Sequence, residues 1–385
     1  MRFLHTADWH LGRIFHGVHL TEDQAQVLEQ FIGLARDCRP DAVLVAGDVY
    51  DRAVPPPEAV DLLSQVLSEL VLGVGVPVVM ISGNHDSAPR LRFASRLLAR
   101  GGLHLLTQLA PEPRAVELAD EHGPVCVYAL PFTAPAEVRQ VLGRDDVATH
   151  DAAAAALLAG VREAPRPAGA RTVVVAHAFV AGGLAGDSER PLAVGGAEQV
   201  AVERFAGFDF VALGHLHRPQ SLAEGRVSYA GSPLKFSFAE AGQEKSVSLV
   251  ELDARGKCRV ERIALPPRRE VRRLEGRLAE LLAGPPPGVD RGDYLAVALT
   301  DREAILDAMG QLREVYPHLL HLERPGLKLA EDQAREKVEP RGRGEGELFT
   351  SFFRQVTGAE PSEAEMAAFT RVAGRVRDVE REALS

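Results

Sequence analysis

Short runs of β-branched residues alternate with helical segments through the first two thirds of this 385-residue chain, and this alternation constrains the fold more than any other feature. Because each apolar run must be covered by a neighbouring layer, the pattern predicts a layered α/β domain. The predicted strands span residues 2–7, 42–46, 77–81, 125–130, 172–176, 208–213, 227–230 and 246–252. We predict one helix from Thr21, with Thr21 and Gln24 as a capping box, and another from Pro57 to about Leu72.

The chain changes character near Leu265, where Pro266 and Pro267 interrupt it. The segments that follow predict a helix, a strand, a second helix and a second strand, over 268–282, 293–299, 301–316 and 318–322. A glycine-rich stretch then precedes two amphipathic helices. We therefore predict a main domain, a small α+β domain, a linker and a C-terminal helical pair, over residues 1–265, 266–337, 338–346 and 347–385.

The formal net charge of −10, from 54 acidic and 44 basic side chains, argues against a protein that coats nucleic acid by bulk charge. No run of about 18 uncharged apolar residues is present, so we expect no membrane span. Asp8 follows the start too closely for a secretory signal. Cys38, Cys126 and Cys258 are far apart and odd in number, which fits a reducing compartment. We expect a soluble, cytoplasmic protein.

Polar side chains follow five of the predicted strands at the point where each strand ends. The motifs are Asp8-Trp9-His10, Gly47-Asp48-Val49-Tyr50-Asp51, Gly83-Asn84-His85-Asp86, His177 and Gly214-His215-Leu216-His217. Open α/β sheets bind their ligands at this edge, so we expect these side chains to converge. Seven of them are potential metal ligands, namely Asp8, His10, Asp48, Asn84, His177, His215 and His217. Seven donors suit two divalent ions that share a carboxylate, and Asp48, on a central strand, is the natural bridge.

The donor set consists of carboxylates, an amide and imidazoles, without a thiolate. This set suits Mn²⁺, Fe²⁺ or Mg²⁺ and also permits Zn²⁺. Each motif alone is weak support, because a single histidine at a strand end is more often a satisfied structural group. Seven donors in order at five strand ends are not expected from structural roles alone.

The order of motifs, D-x-H, G-D-x-x-D, G-N-H-D, an isolated H and G-H-x-H, resembles that of the calcineurin-like metallophosphoesterases. Within them, the segments RFLHTADWHLG (2–12), YAGSP (229–233) and FSFAE (236–240) are similar to the SbcD family of bacterial nuclease subunits. The motifs cover residues 1 to about 265, and the rest is similar only in architecture. The resemblance implies a four-layer β-sandwich flanked by helices, with residues 266–337 as a DNA-capping domain.

The resemblance also implies two overlapping ligand sets, Asp8, His10, Asp48 and His217 for one ion, and Asp48, Asn84, His177 and His215 for the other. The ions, usually manganese in this family, would hold the scissile phosphate and lower the pKa of a bridging water that attacks in line. His85 matches the histidine that acts on the leaving 3′ oxygen or its phosphate. Asp86 is either a group that orients His85 or a helix N-cap. Asp51 stands where archaeal and eukaryotic relatives have a histidine, and it receives no catalytic role.

The net charge of −10 does not exclude DNA binding at the candidate metal site, because two divalent ions would add four positive charges beside Asp8 and Asp48. Two groups of arginines are candidate phosphate contacts, one after the G-N-H-D motif and one in the helix predicted after Pro267. They include Arg90, Arg92 and Arg96 in the first group and Arg268, Arg269 and Arg272 in the second. A solvated helix face explains either group equally well.

The C-terminal helices carry narrow apolar faces that must be buried, either on the body of the protein or on a partner. By resemblance, that partner is an SbcC-type coiled-coil ATPase, in a heterotetramer built on a nuclease homodimer. The helix after Pro57 is a candidate dimer surface, although core packing explains its apolar residues as well.

The function implied is that of a metal-dependent DNA nuclease in DNA repair, recombination and replication. It would act as an exonuclease on duplex ends and as an endonuclease on single strands or hairpins. The alternatives are a two-metal small-molecule phosphodiesterase or phosphoprotein phosphatase, and a catalytically silent scaffold of the same fold.

Overall fold

The computed structural model of the chain describes residues 1–189, 198–301, 303, 305–325, 344–357 and 360–383. They belong to two compact units, one of residues 1–299 and 304–323 and the other of residues 300–303 and 324–385. Within the described ranges, no helix is long and apolar enough to cross a membrane. The three cysteines are unpaired.

The strands within these ranges are β1 (Arg2–Thr6), β2 (Ile14–Phe15), β3 (Val18–His19), β4 (Ala42–Ala46), β5 (Val78–Ile81), β6 (Leu103–Leu105), β7 (Val116–Asp120), β8 (Gly123–Leu130), β9 (Arg171–His177), β10 (Phe210–Gly214), β11 (Gln220–Leu222), β12 (Val227–Tyr229), β13 (Ser246–Leu252), β14 (Cys258–Ala264), β15 (Val271–Gly276), β16 (Tyr294–Leu299) and β17 (Leu319–Glu323). All eight strands predicted in the main domain are present, with ends that differ from the predicted ones by at most two residues.

Among the described residues, the α-helices are α1 (Thr21–Cys38), α2 (Pro57–Ser68), α3 (Ala88–Leu91), α4 (Ser95–Leu98), α5 (Pro135–Leu142), α6 (His150–Glu163), α7 (Leu278–Leu282), α8 (Ala308–Val315), α9 (Glu345–Thr357) and α10 (Glu363–Ala383). A π-helical turn, Glu69–Val74, continues α2. The helix predicted from Pro57 to about Leu72 is therefore present but changes its winding near its end.

Two six-stranded sheets form the main domain. The first has the order β14-β13-β1-β4-β5-β6, in which β1, β4, β5 and β6 are parallel and β13 runs antiparallel to β1. The second has the order β11-β12-β10-β9-β8-β7, with a parallel centre and antiparallel edges. The parallel strands of each sheet end at a common edge, as the sequence predicts.

The two sheets pack face to face, and helices cover their outer faces. Leu44 of β4 points into the core between the sheets, whereas Val43 and Val45 point outward to a second core with α1 and α2. Leu158 and Val161 of α6 pack on the outer face of the second sheet. Because β4 is buried on both faces, its sequence is apolar without alternation. The predicted four-layer α/β architecture is confirmed.

A three-stranded parallel sheet, β15-β16-β17, forms the small α/β region with α7 and α8. The helix predicted over 268–282 is correct only at its end, where Leu278–Leu282 form α7. Residues 271–276 are instead β15, which pairs with β16 along its whole length, from Val271 opposite Tyr294 to Gly276 opposite Leu299. Strand pairing overrides the helical propensity of this arginine-rich stretch.

In the second compact unit, α9 and α10 pack on each other. The ring of Phe349 stacks on that of Phe369 at a centroid distance of 4.2 Å. A capping box begins α10, because Glu365 accepts a hydrogen bond from the Ser362 N–H at 2.7 Å and Glu365 N–H faces the Ser362 hydroxyl at 3.4 Å. The predicted linker overlaps the start of α9, and its residues 338–343 lie outside the described residues.

Candidate metal centre

The end of β9 and the loops after β1, β4, β5 and β10 meet at one edge of the sandwich and bring the seven predicted ligands together. Asn84 is half-buried, and the other six, Asp8, His10, Asp48, His177, His215 and His217, are at most 4% exposed. So many charged and polar groups are buried together only where they have partners or bind ions.

One group of donors consists of Asp8, His10 and His217, whose ligand atoms lie within 4.8 Å of one another. The Nε2 atoms of His10 and His217 are 3.1 Å apart. A second group consists of Asp8, Asp48 and His177. The amide oxygen of Asn84 lies beside this second group, 3.0 Å from His177 Nε2 and 3.1 Å from His215 Nδ1.

Asp48 belongs to the second group and also lies close to His10 of the first. Its Oδ2 is 3.7 Å from His10 Nε2 and 3.5 Å from His177 Nε2. Its Oδ1 accepts a hydrogen bond from the His85 backbone N–H at 2.9 Å. This carboxylate therefore has the position that a bridging ligand requires.

Four of the candidate ligands have left-handed backbone conformations that are rare for residues other than glycine. The φ angles of Asp8, His10, Asp48 and His215 are 54°, 46°, 47° and 105°. Backbone hydrogen bonds hold two of these turns, from Asp8 N–H to the Gly47 carbonyl at 3.0 Å and from His10 N–H to the Asp48 carbonyl at 3.0 Å. Such conformations cost about 1–3 kcal/mol each and cluster at functional sites, where they aim side chains.

Gly83 and Gly214 allow the loops to approach closely. A Cβ on Gly83 would overlap the carboxylate and backbone nitrogen of Asp48, and a Cβ on Gly214 would overlap the Ala46 carbonyl. Glycine at these two positions is therefore a steric requirement of the site.

Asp86 neither orients the His85 ring nor caps the following helix, which are the two roles predicted for it. Its carboxylate accepts hydrogen bonds from the backbone N–H groups of Val49 at 3.1 Å, Tyr50 at 2.9 Å and Gly83 at 2.9 Å. It therefore joins the loop after β4 to the loop after β5. The His85 ring is oriented instead by Asp51, whose backbone carbonyl lies 2.8 Å from His85 Nδ1.

The predicted capping role of Gln24 is also wrong, because its side chain reaches the first ligand loop. Its amide nitrogen donates to the carbonyls of Trp9 at 3.1 Å and His10 at 2.7 Å, and its amide oxygen accepts from Gly12 N–H at 3.1 Å. The helix begins at Thr21 without a side-chain cap. Gln24 thus braces the backbone that carries Asp8 and His10.

Sequence reasoning missed a buried ion pair behind His217. Lys245 Nζ pairs with the Glu240 carboxylate and donates to the His217 carbonyl at 2.8 Å and the Ser232 hydroxyl at 3.0 Å. The other Glu240 oxygen lies 3.8 Å from His217 Nδ1. The FSFAE segment contains Glu240 and is the sequence feature that could have pointed to this ion pair. By itself, however, it indicates only the family resemblance.

The electrostatics fit divalent cations. Burial raises the pKa of Asp8, and burial lowers the pKa of His10 to about 4 and that of His215 to about 3. Burial also works against a charged His177, but the Asp48 carboxylate prevails and raises the pKa of His177 to about 9. His10 and His215 are therefore neutral imidazoles beside buried carboxylates, and His177 would become such a donor once a bound ion displaced its proton. Mn²⁺, Fe²⁺ or Zn²⁺ would use donors of this kind.

The two groups of candidate DNA-binding arginines differ in whether their side chains have partners within the protein. Arg90, Arg92 and Arg96 are exposed and make no side-chain hydrogen bond within the described part of the chain. The others have protein partners. Arg268 pairs with Glu22, Arg269 lies over the Tyr294 ring, and Arg272 binds Asp293 at 2.7 Å.

Residues 1–219 match the family model of the calcineurin-like phosphoesterases, and residues 267–357 match a model described as the Type 5 capsule protein repressor C-terminal domain. The chain is 33% identical over 358 residues to the D subunit of the SbcCD nuclease of Staphylococcus saprophyticus, an alignment that covers 93% of this chain and 94% of that protein. Among solved structures it is similar to TT1561 of Thermus thermophilus, with 16% identity, a TM-score of 0.38, and coverage of 68% of this chain and 98% of that one. The chain belongs to the calcineurin-like metallophosphoesterases and, within them, to the SbcD family of nuclease subunits.

Proposed function

We propose that this chain is the DNA nuclease subunit of a complex with an SbcC-type coiled-coil ATPase, acting in DNA repair, recombination and replication in the cytoplasm. Its reactions are exonucleolytic cleavage of duplex ends and endonucleolytic cleavage of single strands or hairpins, both by hydrolysis of phosphodiester bonds. The observation that carries the proposal is the convergence of seven donors from five strand ends beside His85, in a chain 33% identical to a nuclease subunit.

The proposed ligand sets are Asp8, His10, Asp48 and His217 for one ion, and Asp48, Asn84, His177 and His215 for the other. Two divalent ions, with Mn²⁺ proposed ahead of Mg²⁺, Fe²⁺ or Zn²⁺, would neutralise the scissile phosphate and activate water for attack. Asp8 and Asp48 supply the negative charge that holds cations in a buried site. The imidazoles bind a metal in their neutral form, so they would complete the ligand sets without adding charge.

His85 is the proposed proton donor to the leaving 3′ oxygen. Its Nδ1 lies 2.8 Å from the Asp51 carbonyl, which only accepts, so Nδ1 carries a hydrogen and Nε2 is the atom that exchanges a proton with the substrate. The ring lies edge-on to that of His10 at a centroid distance of 4.7 Å, which places it at the border of the centre. Proton transfer by a positioned side chain contributes about 10²–10⁴-fold to such reactions.

DNA binding is proposed to use the local charge at the cleft and the exposed arginines after the G-N-H-D motif, Arg90, Arg92 and Arg96. These contacts would bind phosphates without reading sequence. Because the whole chain has a net charge of −10, we expect the isolated subunit to bind DNA weakly and with strong salt dependence.

The ATPase is proposed to dock on α9 and α10. These helices pack on each other, but some of their apolar side chains stay exposed. Phe352 and Val372 are each 62% exposed. For the homodimer, α2 is a poor surface because Leu63 and Val66 are buried in the core. The helical segment after the G-N-H-D motif supports the dimer better, since it exposes Phe93 and Leu97.

The test is a cleavage assay with Mn²⁺ on duplex and hairpin DNA, beside bis-p-nitrophenyl phosphate as a small diester. We expect DNA cleavage that falls at least about a hundredfold in His85→Gln while bound metal, measured by mass spectrometry, is unchanged. Hydrolysis of the small ester with intact DNA would support the small-molecule phosphodiesterase instead. Protein that binds no metal and shows no activity would support the silent scaffold.

A further inference from the structure

Arg13 lies immediately beyond the first ligand loop and points back toward it. Its Nη1 donates to Asp51 Oδ1 at 2.8 Å, and the two side chains are 21% and 14% exposed. The Arg13 backbone is fixed by hydrogen bonds to the His10 carbonyl at 3.0 Å and from Leu20 N–H at 3.1 Å. The guanidinium is thus held in place and remains partly open to solvent.

Two side chains link this guanidinium to the candidate metal centre. Asp51 Oδ1, which accepts from Arg13, lies 3.5 Å from His10 Nδ1. The Phe236 ring, 5.6 Å from Arg13 Cζ, lies against the rings of His10 and His217 at centroid distances of 5.3 and 5.6 Å. Arg13 is therefore separated from the centre by a single layer of side chains.

The free part of the guanidinium has the chemistry of a phosphate site. Arginine carries five N–H donors in a planar fork that matches a phosphate. Within the described residues, Arg13 makes no side-chain hydrogen bond besides the one to Asp51, so one edge of the fork remains available. Stacking on Phe236 holds the plane without using a donor.

We propose that Arg13, positioned by Asp51 and Phe236, binds the DNA phosphate next to the scissile one. This inference rests on the proposed nuclease function and assigns to Asp51 a positioning role that the sequence left open. Because Asp51 balances the charge of Arg13, the contact acts through hydrogen-bond geometry close to the centre rather than through long-range attraction. The contact of Arg13 with a neighbouring phosphate favours a polynucleotide substrate over a small diester, which has no second phosphate.

Comparison of two substrates tests this inference in the full-length protein with Mn²⁺. We expect Arg13→Gln to lower kcat/KM for duplex DNA by about ten- to a hundredfold and to lower hydrolysis of bis-p-nitrophenyl phosphate by a much smaller factor. Arg13→Lys, which keeps the charge but loses the fork, should lie between wild type and Arg13→Gln. Asp51→Asn should lower the DNA reaction less than Arg13→Gln does. The matched control is Arg36→Gln, because Arg36 also pairs with a carboxylate, Glu69 at 3.0 Å, but on the surface of α1.

A second measurement identifies the phosphate itself. Wild type should cleave a duplex with one uncharged methylphosphonate beside the cleavage position more slowly than the unmodified duplex. At the position of the phosphate that Arg13 binds, the same modification should slow Arg13→Gln little further. Equal losses on both substrates, or a full methylphosphonate effect in Arg13→Gln at every neighbouring position, would overturn the role of Arg13. Failure of the wild type to cleave any DNA would overturn the nuclease function instead.

Discussion

The Nε2 atoms of His10 and His217 lie 3.1 Å apart, although 207 positions separate the two residues in the chain. Two imidazole nitrogens at this distance share either a proton or a cation. Burial lowers the pKa of His10 to about 4, so its imidazole is neutral near pH 7 and can bind a cation. An ion bound by both histidines would join two loops that are distant in the chain.

We expect metal removal to destabilise the protein for this reason. Chelation should lower the melting temperature, and Mn²⁺ at about 100 times its Kd should restore about 2.7 kcal/mol of stability. Differential scanning fluorimetry with and without EDTA measures the shift. His217→Ala should show a much smaller shift than wild type. An unchanged melting temperature in wild type would contradict the prediction.

Replacement of Gly83 should disrupt the centre. In Gly83→Ala the new Cβ overlaps Asp48, so the loop after β5 must move away from the proposed bridging ligand. We expect loss of at least one metal equivalent by mass spectrometry and a fall of more than about tenfold in hydrolysis of bis-p-nitrophenyl phosphate. Gly33→Ala is the control, because it lies in α1 with open space around it and should stabilise the protein by about 1 kcal/mol. Normal metal content in Gly83→Ala would count against this geometry.

The convergence of the candidate ligands was predictable because each lies at or just after the end of an apolar strand, and parallel strands of one sheet end at the same edge. The strand over 42–46 is identical in prediction and structure, and Asp48 follows it by two residues. Here local sequence and global fold agree, which is the condition under which pattern reasoning succeeds.

The supporting contacts were not predictable because they join distant segments. Gln24 has the sequence pattern of a helix cap, but its amide is used by the loop of Trp9 and His10. Asp86 binds backbone groups 36 and 37 residues away, which no local pattern specifies. The sequence did not predict β15 for the same reason, because its partner strand β16 lies beyond a helix and a proline-rich turn.

The ion pair behind His217 should matter for stability and for metal binding. Glu240→Gln leaves Lys245 as an unpaired buried charge and should cost about 3–5 kcal/mol. It also removes a carboxylate near His217 Nδ1, so Mn²⁺ affinity measured by calorimetry should fall about 10–100-fold. The double variant Glu240→Gln with Lys245→Met should be less destabilised than the sum of the single variants.

The control for this pair is Glu69→Gln, which breaks the exposed Arg36–Glu69 pair and should cost less than about 1 kcal/mol. Urea unfolding of the chelated proteins gives the stabilities. Additive single-variant costs, with unchanged Mn²⁺ affinity, would show that Glu240 and Lys245 do not act together on His217.

At the opposite end of the strands, Arg171 ties the two sheets together and makes the fold sensitive to acid. It pairs with Asp120 of β7 and donates to the Leu252 carbonyl of β13 at 3.3 Å. The Arg171 guanidinium holds the pKa of Asp120 well below its usual range. A carboxyl whose folded pKa is depressed stabilises the protein above its unfolded pKa of about 3.9, and this contribution is lost as the pH falls toward the folded value.

Asp120→Asn should therefore lower the free energy of unfolding by about 1–3 kcal/mol at pH 7 and reduce the loss of stability on acidification below about pH 4. Urea unfolding of both proteins, with chelator present at every pH so that metal release does not contribute, measures the effect. Asp146→Asn is the matched control, because Asp146 pairs with Arg144 in an exposed position and should change the free energy of unfolding much less than Asp120→Asn does. If Asp120→Asn and wild type lose stability in parallel as the pH falls, the acid sensitivity resides in other carboxylates.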